Sequence, residues 1–267
     1  MRRAKLGFLV VIAMTGVSVS IVTPTAAPQK KGLQSRLRAY RNNSCVTCHA
    51  DLSEPLHTSA HFYEWLGSEH EKKGVGCEKC HGGNPAAAYV KTAHEGMLRP
   101  ILPQSRLNPK NLPTTCGECH QEAVAAFTRS THYLKLQDTG TGPTCTTCHH
   151  HMATSVITWP PETAALCAGC HNRSGGPAAQ SLEVPQRASD VIAAFSRADE
   201  VMDWTWFLIN EDRKRVRRYK PEQAELKRLE TMMKSAKLSW HEFNLSKSRH
   251  EADKVFGEAT KLKNNLR

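Results

Sequence analysis

Aromatic residues are scarce in this chain, 6% of its 267 residues, and aliphatic ones thin out through its middle. No stretch alternates apolar and polar residues as a half-buried strand would. A side-chain core of ordinary size is therefore out of reach at this length, and a sheet is not expected. Something other than side chains must fill part of the interior. Solitary cysteines are missing too. All ten fall in Cys-x-x-Cys pairs, and a histidine follows each pair: Cys45-Val-Thr-Cys48-His49, Cys77-Glu-Lys-Cys80-His81, Cys116-Gly-Glu-Cys119-His120, Cys145-Thr-Thr-Cys148-His149 and Cys167-Ala-Gly-Cys170-His171.

A disulfide framework has no use for a histidine after every second cysteine, and so short a loop is a poor staple. Zinc would take the pairs two at a time, orphaning one pair and leaving five histidines without a role. Cys-x-x-Cys-His is instead the attachment signature of c-type haem. The thiols add across the haem vinyl groups as thioethers, and the histidine, on a tight helical turn, binds the iron. Five copies that use every cysteine predict five covalently bound haem c groups, with His49, His81, His120, His149 and His171 as proximal iron ligands. The porphyrins would then supply the missing core.

Arg2, Arg3 and Lys5 precede an apolar run from Leu6 to Val22, the pattern of an export signal. Residues 1–27 are read as a signal peptide, or as an anchor to the membrane if uncleaved, which places the chain in the periplasm or otherwise outside the cytoplasm. The formal net charge of +11 does not argue for nucleic acid, since cleavage would remove three cations and each haem brings two propionates. Residues 28–43 form a basic leader, and residues 44–175 a pentahaem domain. After a Gly/Pro-rich break, residues 186–267 form a helical region packing on it. There Val191, Phe195, Met202, Trp206 and Ile209 keep helical spacing. Pro221 can open a second helix running, with or without a break, towards Leu262. The basic run 213–220 between them is either a solvated turn or a docking patch. The fold class expected is mainly α with much irregular loop, a haem-stacked core and a C-terminal helical hairpin.

What fills the sixth position of each iron decides function: a second strong ligand gives an electron carrier, an open position a site for substrate. The other histidines are His57, His61, His70, His94, His132, His150, His151, His241 and His250. Ser59-Ala-His61 and Ser130-Thr-His132 recur at the same offset from a haem motif, and Ser68-Glu-His70 repeats the pattern before Cys77. These three are distal candidates. His150 or His151 could reach a neighbouring haem but not that of His149, because consecutive side chains diverge. Either His94 or His241 completes the set. His250, half a turn out of phase with His241, faces solvent on this reading.

Several stretches, "FTRSTH", "LGSEH", "KKGVGCEKCHGG" and "ALCAGCHN", resemble the multihaem superfamily of cytochrome c nitrite reductase and hydroxylamine oxidoreductase, and most closely its small electron-transfer, cytochrome c-554-like members. The resemblance implies closely spaced haem pairs and redox protein partners, a quinol-linked or enzyme donor and a terminal acceptor. The nitrite reductases commonly carry lysine at the catalytic motif, whereas all five motifs here end in histidine. No tyrosine stands where a hydroxylamine oxidoreductase would need one. The expected function is electron transfer through mainly bis-histidine haems. The alternative is a small oxidoreductase, acting on nitrite, hydroxylamine or a related oxyanion at one open haem.

Overall fold

A computed structural model of the chain describes residues 35, 37–52, 56–172, 181–211 and 220–266. The export segment and residues 213–219 of the basic run lie outside the described residues. Arg41–Arg267 form one compact unit that holds every haem motif. In the unit before it, the Tyr40 amide donates to the Leu37 carbonyl (3.0 Å). Among the described residues there is no strand, and no helix is long and apolar enough to cross a membrane.

Short helices come first: α1 (Ser44–His49), α2 (Leu56–Trp65), α3 (Glu69–Lys72), α4 (Glu78–His81), α5 (Val90–Ala93), α6 (Leu112–Gly117), α7 (Gln121–Phe127), α8 (Thr131–Thr139) and α9 (Cys145–His149). A 3-10 turn (His151–Ala153) and α10 (Pro160–Ala168) follow. The haem motifs sit on or beside helical turns. The amides of His81, His120 and His171 each donate to the carbonyl of the first cysteine of their motif, at 2.8–2.9 Å. Prolines open α6 and α10, where a missing amide proton costs nothing. Asn43 caps α1 by accepting from the Val46 amide (3.3 Å), and its own Nδ2 donates to Glu78 Oε2 (3.1 Å), tying the first motif to the second. Thr144 and Thr147 cap α9 reciprocally.

Among the described residues between α1 and α10 the buried apolar side chains are few and include Val46, Phe62, Trp65, Ala126, Phe127 and Leu136. The continuous apolar core lies instead among α11 (Val184–Glu211), α12 (Lys220–His241) and α13 (Leu245–Asn265). Its members include Val191, Phe195, Met202, Ile209, Leu226, Leu229, Met233, Val255 and Leu262. Buried serines let α12 and α13 approach: Ser248 Oγ donates to the Ala236 carbonyl (2.8 Å) and Ser239 Oγ to Glu251 (2.8 Å). Helix α10 packs on α11, and Cys167 of the last motif touches the core.

The expected two-helix hairpin is a set of three helices, and the spacing read along the first of them holds with one residue exposed. The run from residue 220 to Leu262 is broken at Glu242–Asn244, where Phe243 takes a left-handed φ of 58° and Asn244 caps α13, so the C-terminal region is a three-helix bundle. Trp206 is 57% exposed. The buried stripe of α11 leans towards Thr205 and Ile209 at its end, which leaves the indole on the flank.

Candidate haem ligand sites

The Ser-x-His repeat has a local cause. Ser68 and Ser130 are buried N-caps, accepting from the amides of Glu71 (3.2 Å) and Tyr133 (3.1 Å), and each presents the histidine two residues on in a first helical turn. The Glu71 carboxylate accepts in turn from the Gly67 amide, just before the cap (3.3 Å). Ser59-Ala-His61 matches only in letters, because that triplet lies inside α2. Gly142 lets the fourth motif's approach strap press onto α8, since a Cβ there would meet the His132 carbonyl at 2.3 Å. Ser130→Ala is expected to destabilise the protein by about 1 kcal/mol, read as a lower urea midpoint, and to broaden the environment of His132.

Histidines meet in twos. Ring centroids lie 6.2 Å apart for His49 and His94, 6.0 Å for His70 and His120, 6.0 Å for His132 and His171, and 6.3 Å for His149 and His241. Iron–imidazole bonds of about 2 Å on opposite faces of a haem place trans ring centroids about 6.3 Å apart, so these pairs fit the group that the cysteines imply. Burial, and after it three further imidazoles, His61, His49 and His151 in that order, lower the pKa of His81. Among the described residues no group of three or more His, Cys, Asp or Glu converges on a metal-ion site.

Second contacts fix several rings. His94 Nδ1 lies 2.8 Å from the Val90 carbonyl and His241 Nδ1 2.7 Å from the Lys237 carbonyl, in each case four residues back on the helix. His149 Nδ1 lies 3.1 Å from the Ser155 carbonyl. A ring that donates through Nδ1 keeps Nε2 for iron. The Nδ1 atoms of His132 and His171 are buried and make no such bond. His132 is held by packing instead: Phe243, in its left-handed conformation, sets its ring 3.9 Å from that of His132. Arg129 pairs with Glu242 and Lys234 with Glu122, which joins the α7 region to the end of α12.

Burial, helped by a neighbouring imidazole, lowers the pKa of His49, His70, His81 and His132. Burial likewise lowers His149, against the Ser155 bond. Neutral imidazole is the form that binds iron. Burial pushes the Cys77 thiol up to about 12 and Cys148 to about 11. Beside the Asn43–Glu78 bond, other contacts tie consecutive motifs together: Arg106 donates to the Lys79 carbonyl (2.9 Å) and pairs with Glu118 (2.8 Å), α6 packs on α9, and His150 meets Glu162 (3.3 Å) on the helix that carries Cys167. Consecutive motifs are thus neighbours in space, in chain order.

His150, with φ 63°, turns to Glu162 on α10 (3.3 Å) rather than to a second motif. His151 goes the other way, to His61 and to Glu64 (2.6 Å). His94 and His241 both face a proximal histidine, although either alone would have completed the expected set. His250 is exposed. Glu64 escaped the sequence reading; its place one helical turn after His61 was the available signal.

A family model described as "Cytochrome c7 and related cytochrome c" matches residues 104–173, and one described as "Cytochrome c554 and c-prime" matches residues 18–82. The C-type polyheme cytochrome OmcC of Geobacter sulfurreducens is 26% identical over 117 residues, 41% of this chain and 14% of the relative. OmcB of the same organism, also a C-type polyheme cytochrome, is 26% identical over 165 residues, 51% of this chain and 20% of the relative. The multiheme cytochrome MtrA of Shewanella baltica is 29% identical over 150 residues, 55% of this chain and 37% of the relative. The chain therefore spans well under half the length of these relatives. No solved structure matches it.

Proposed function

We propose that this chain is a multihaem c-type cytochrome with covalently bound haem, which passes electrons along five bis-histidine haems and turns over no substrate. The observation that carries the reading is that four of the five proximal histidines stand 6.0–6.3 Å, ring centroid to ring centroid, from one further imidazole. Haem c supplies a one-electron ferric–ferrous couple at each site. The chain's own residues do the rest. Each Cys-x-x-Cys pair would hold a haem by two thioethers. His49 with His94, His120 with His70, His171 with His132, and His149 with His241 would be iron ligands, and His81 would hold the remaining haem. Two imidazoles per iron would keep small anions from the metal.

Electrons would follow the chain order of the motifs, exchanged at either end with redox proteins. The export signal read from residues 1–27 supports an extracytoplasmic setting, with anchoring there if the segment is kept. Kinship with the wider nitrite reductase and hydroxylamine oxidoreductase superfamily belongs to the same proposal, supported by the cytochrome c554 match.

The intact mass should exceed that of the apoprotein by five haem equivalents, and low-temperature electron paramagnetic resonance of the ferric protein should contain low-spin signals only. The signals should differ in shape. The His132 and His171 planes are nearly perpendicular (87°), which gives the most anisotropic signal, whereas His149 and His241 are nearly parallel (11°) and give a rhombic one. A high-spin signal that titrates with nitrite or hydroxylamine would replace the carrier reading with the oxidoreductase one.

A further inference from the structure

The last turns of α11 leave three aromatic side chains in the open. Trp204 is 48% exposed, Trp206 57% and Phe207 43%, and the rings of Trp204 and Phe207 are stacked, with centroids 5.3 Å apart at 11°. Residues 204–207 span about 5 Å of the helix axis, so the rings form a belt one turn deep. This belt stands away from the haem motifs. The chain meets the motif-bearing part at Lys234 and beyond, through Lys234 with Glu122, His241 with His149, and Glu242 with Arg129. Asp199 of α11 pairs with Lys237 of α12, and counting along the two antiparallel helices from that pair puts Phe207 level with Leu229, nearer the start of α12.

Exposed apolar surface of this kind meets either protein or membrane, and charge decides between them. The described charges around the belt are mixed, with Glu200, Asp203 and Glu211 on the outer face of α11 and Lys220, Lys227 and Lys261 exposed on its neighbours. The excess comes from the sequence that joins α11 to α12, where residues 211–220 hold six cations and two acids. A second copy of the chain would bring the same excess to the contact and be repelled. An anionic bilayer attracts it, and tryptophan rings favour the headgroup level of a bilayer. No described helix crosses a membrane, so the contact is with the surface. We propose that the end of α11 bearing Trp204, Trp206 and Phe207 docks on an anionic phospholipid bilayer, the rings entering the headgroup layer and the neighbouring cations drawing the chain to it. Docked in this way, the chain holds its haem motifs away from the lipid, towards soluble redox partners, whichever imidazole holds each iron.

The test is co-sedimentation of the full haem-loaded chain with vesicles of phosphatidylglycerol mixed into phosphatidylcholine, beside vesicles of phosphatidylcholine alone. The unaltered protein is compared with the triple variant W204S/W206S/F207S, whose changes are all at exposed positions and should leave the helical circular dichroism unchanged. The unaltered protein is expected to bind the anionic vesicles, and less so as salt rises. The triple variant is expected to bind them at least about tenfold more weakly, because the apolar area that the rings would bury is gone. Should the triple variant fail to fold, Phe207→Asp sets a negative charge in the same belt and carries the same expectation. Failure of the unaltered protein to bind anionic vesicles overturns the proposal, and so does binding no stronger than to phosphatidylcholine alone. Equal binding by the altered belt overturns it by moving the attachment elsewhere on the chain. A dimer in sedimentation without vesicles, lost in the triple variant, overturns it in favour of a second copy on this face.

Discussion

Replacing His241 by alanine is expected to turn one-fifth of the ferric haem high-spin and open that fraction to cyanide, with the helical circular dichroism unchanged. His241 ends α12, its Nδ1 is bonded to the Lys237 carbonyl (2.7 Å), and its ring stands 6.3 Å from that of His149. His150, next to the fourth motif, is engaged with Glu162, and His151 with Glu64, so neither is placed to substitute. The side chains that fold α12, Leu226, Leu229, Met233 and Ala236, lie along its buried stripe and are untouched by the change. Losing a strong imidazole from one axial position should also raise that haem's reduction potential. Electron paramagnetic resonance with a cyanide titration reads both the fraction and the access. A variant that stays low-spin would mean that His241 is not the ligand.

Leu229→Ala is expected to destabilise the helical bundle by about 2–5 kcal/mol, the range for a leucine deleted from a packed core. Leu229 is fully buried where α12 meets the cluster that includes Ile209 and Val255. The expected signature is an earlier loss of far-ultraviolet ellipticity in urea, accompanied by a high-spin signal from the fourth haem as α12 lets go of His149. Haem attached through thioethers is expected to stay on the chain throughout. A midpoint shift worth less than about 1 kcal/mol would show that the packing at Leu229 is loose.

The haem motifs and the helical class were legible because both are written locally, in residues at most a few positions apart. The pairing of imidazoles was not, since His149 meets His241 across the chain and no periodicity links them. Ser68 and Ser130 announced their histidines through a real capping geometry, while Ser59 copied the letters without the cap because α2 already runs through it. The break before α13 carried no glycine to mark it. Phe243 adopts the left-handed turn that glycine usually takes, and packing against His132 and Phe127 offsets the strain.

The proposed ligation of the fourth haem by His241 of α12 has a consequence for how the molecule is built. Synthesis runs from the N-terminus, so Cys145 and Cys148 emerge well before His241 does. His132 precedes its partner His171, which lets the fifth haem acquire both axial imidazoles as soon as its own motif is out. On this ligation scheme the order in which haems are stitched to the chain is therefore not the order in which they are sealed. The fourth would wait, accessible to small ligands, until α12 has been made and folded over it.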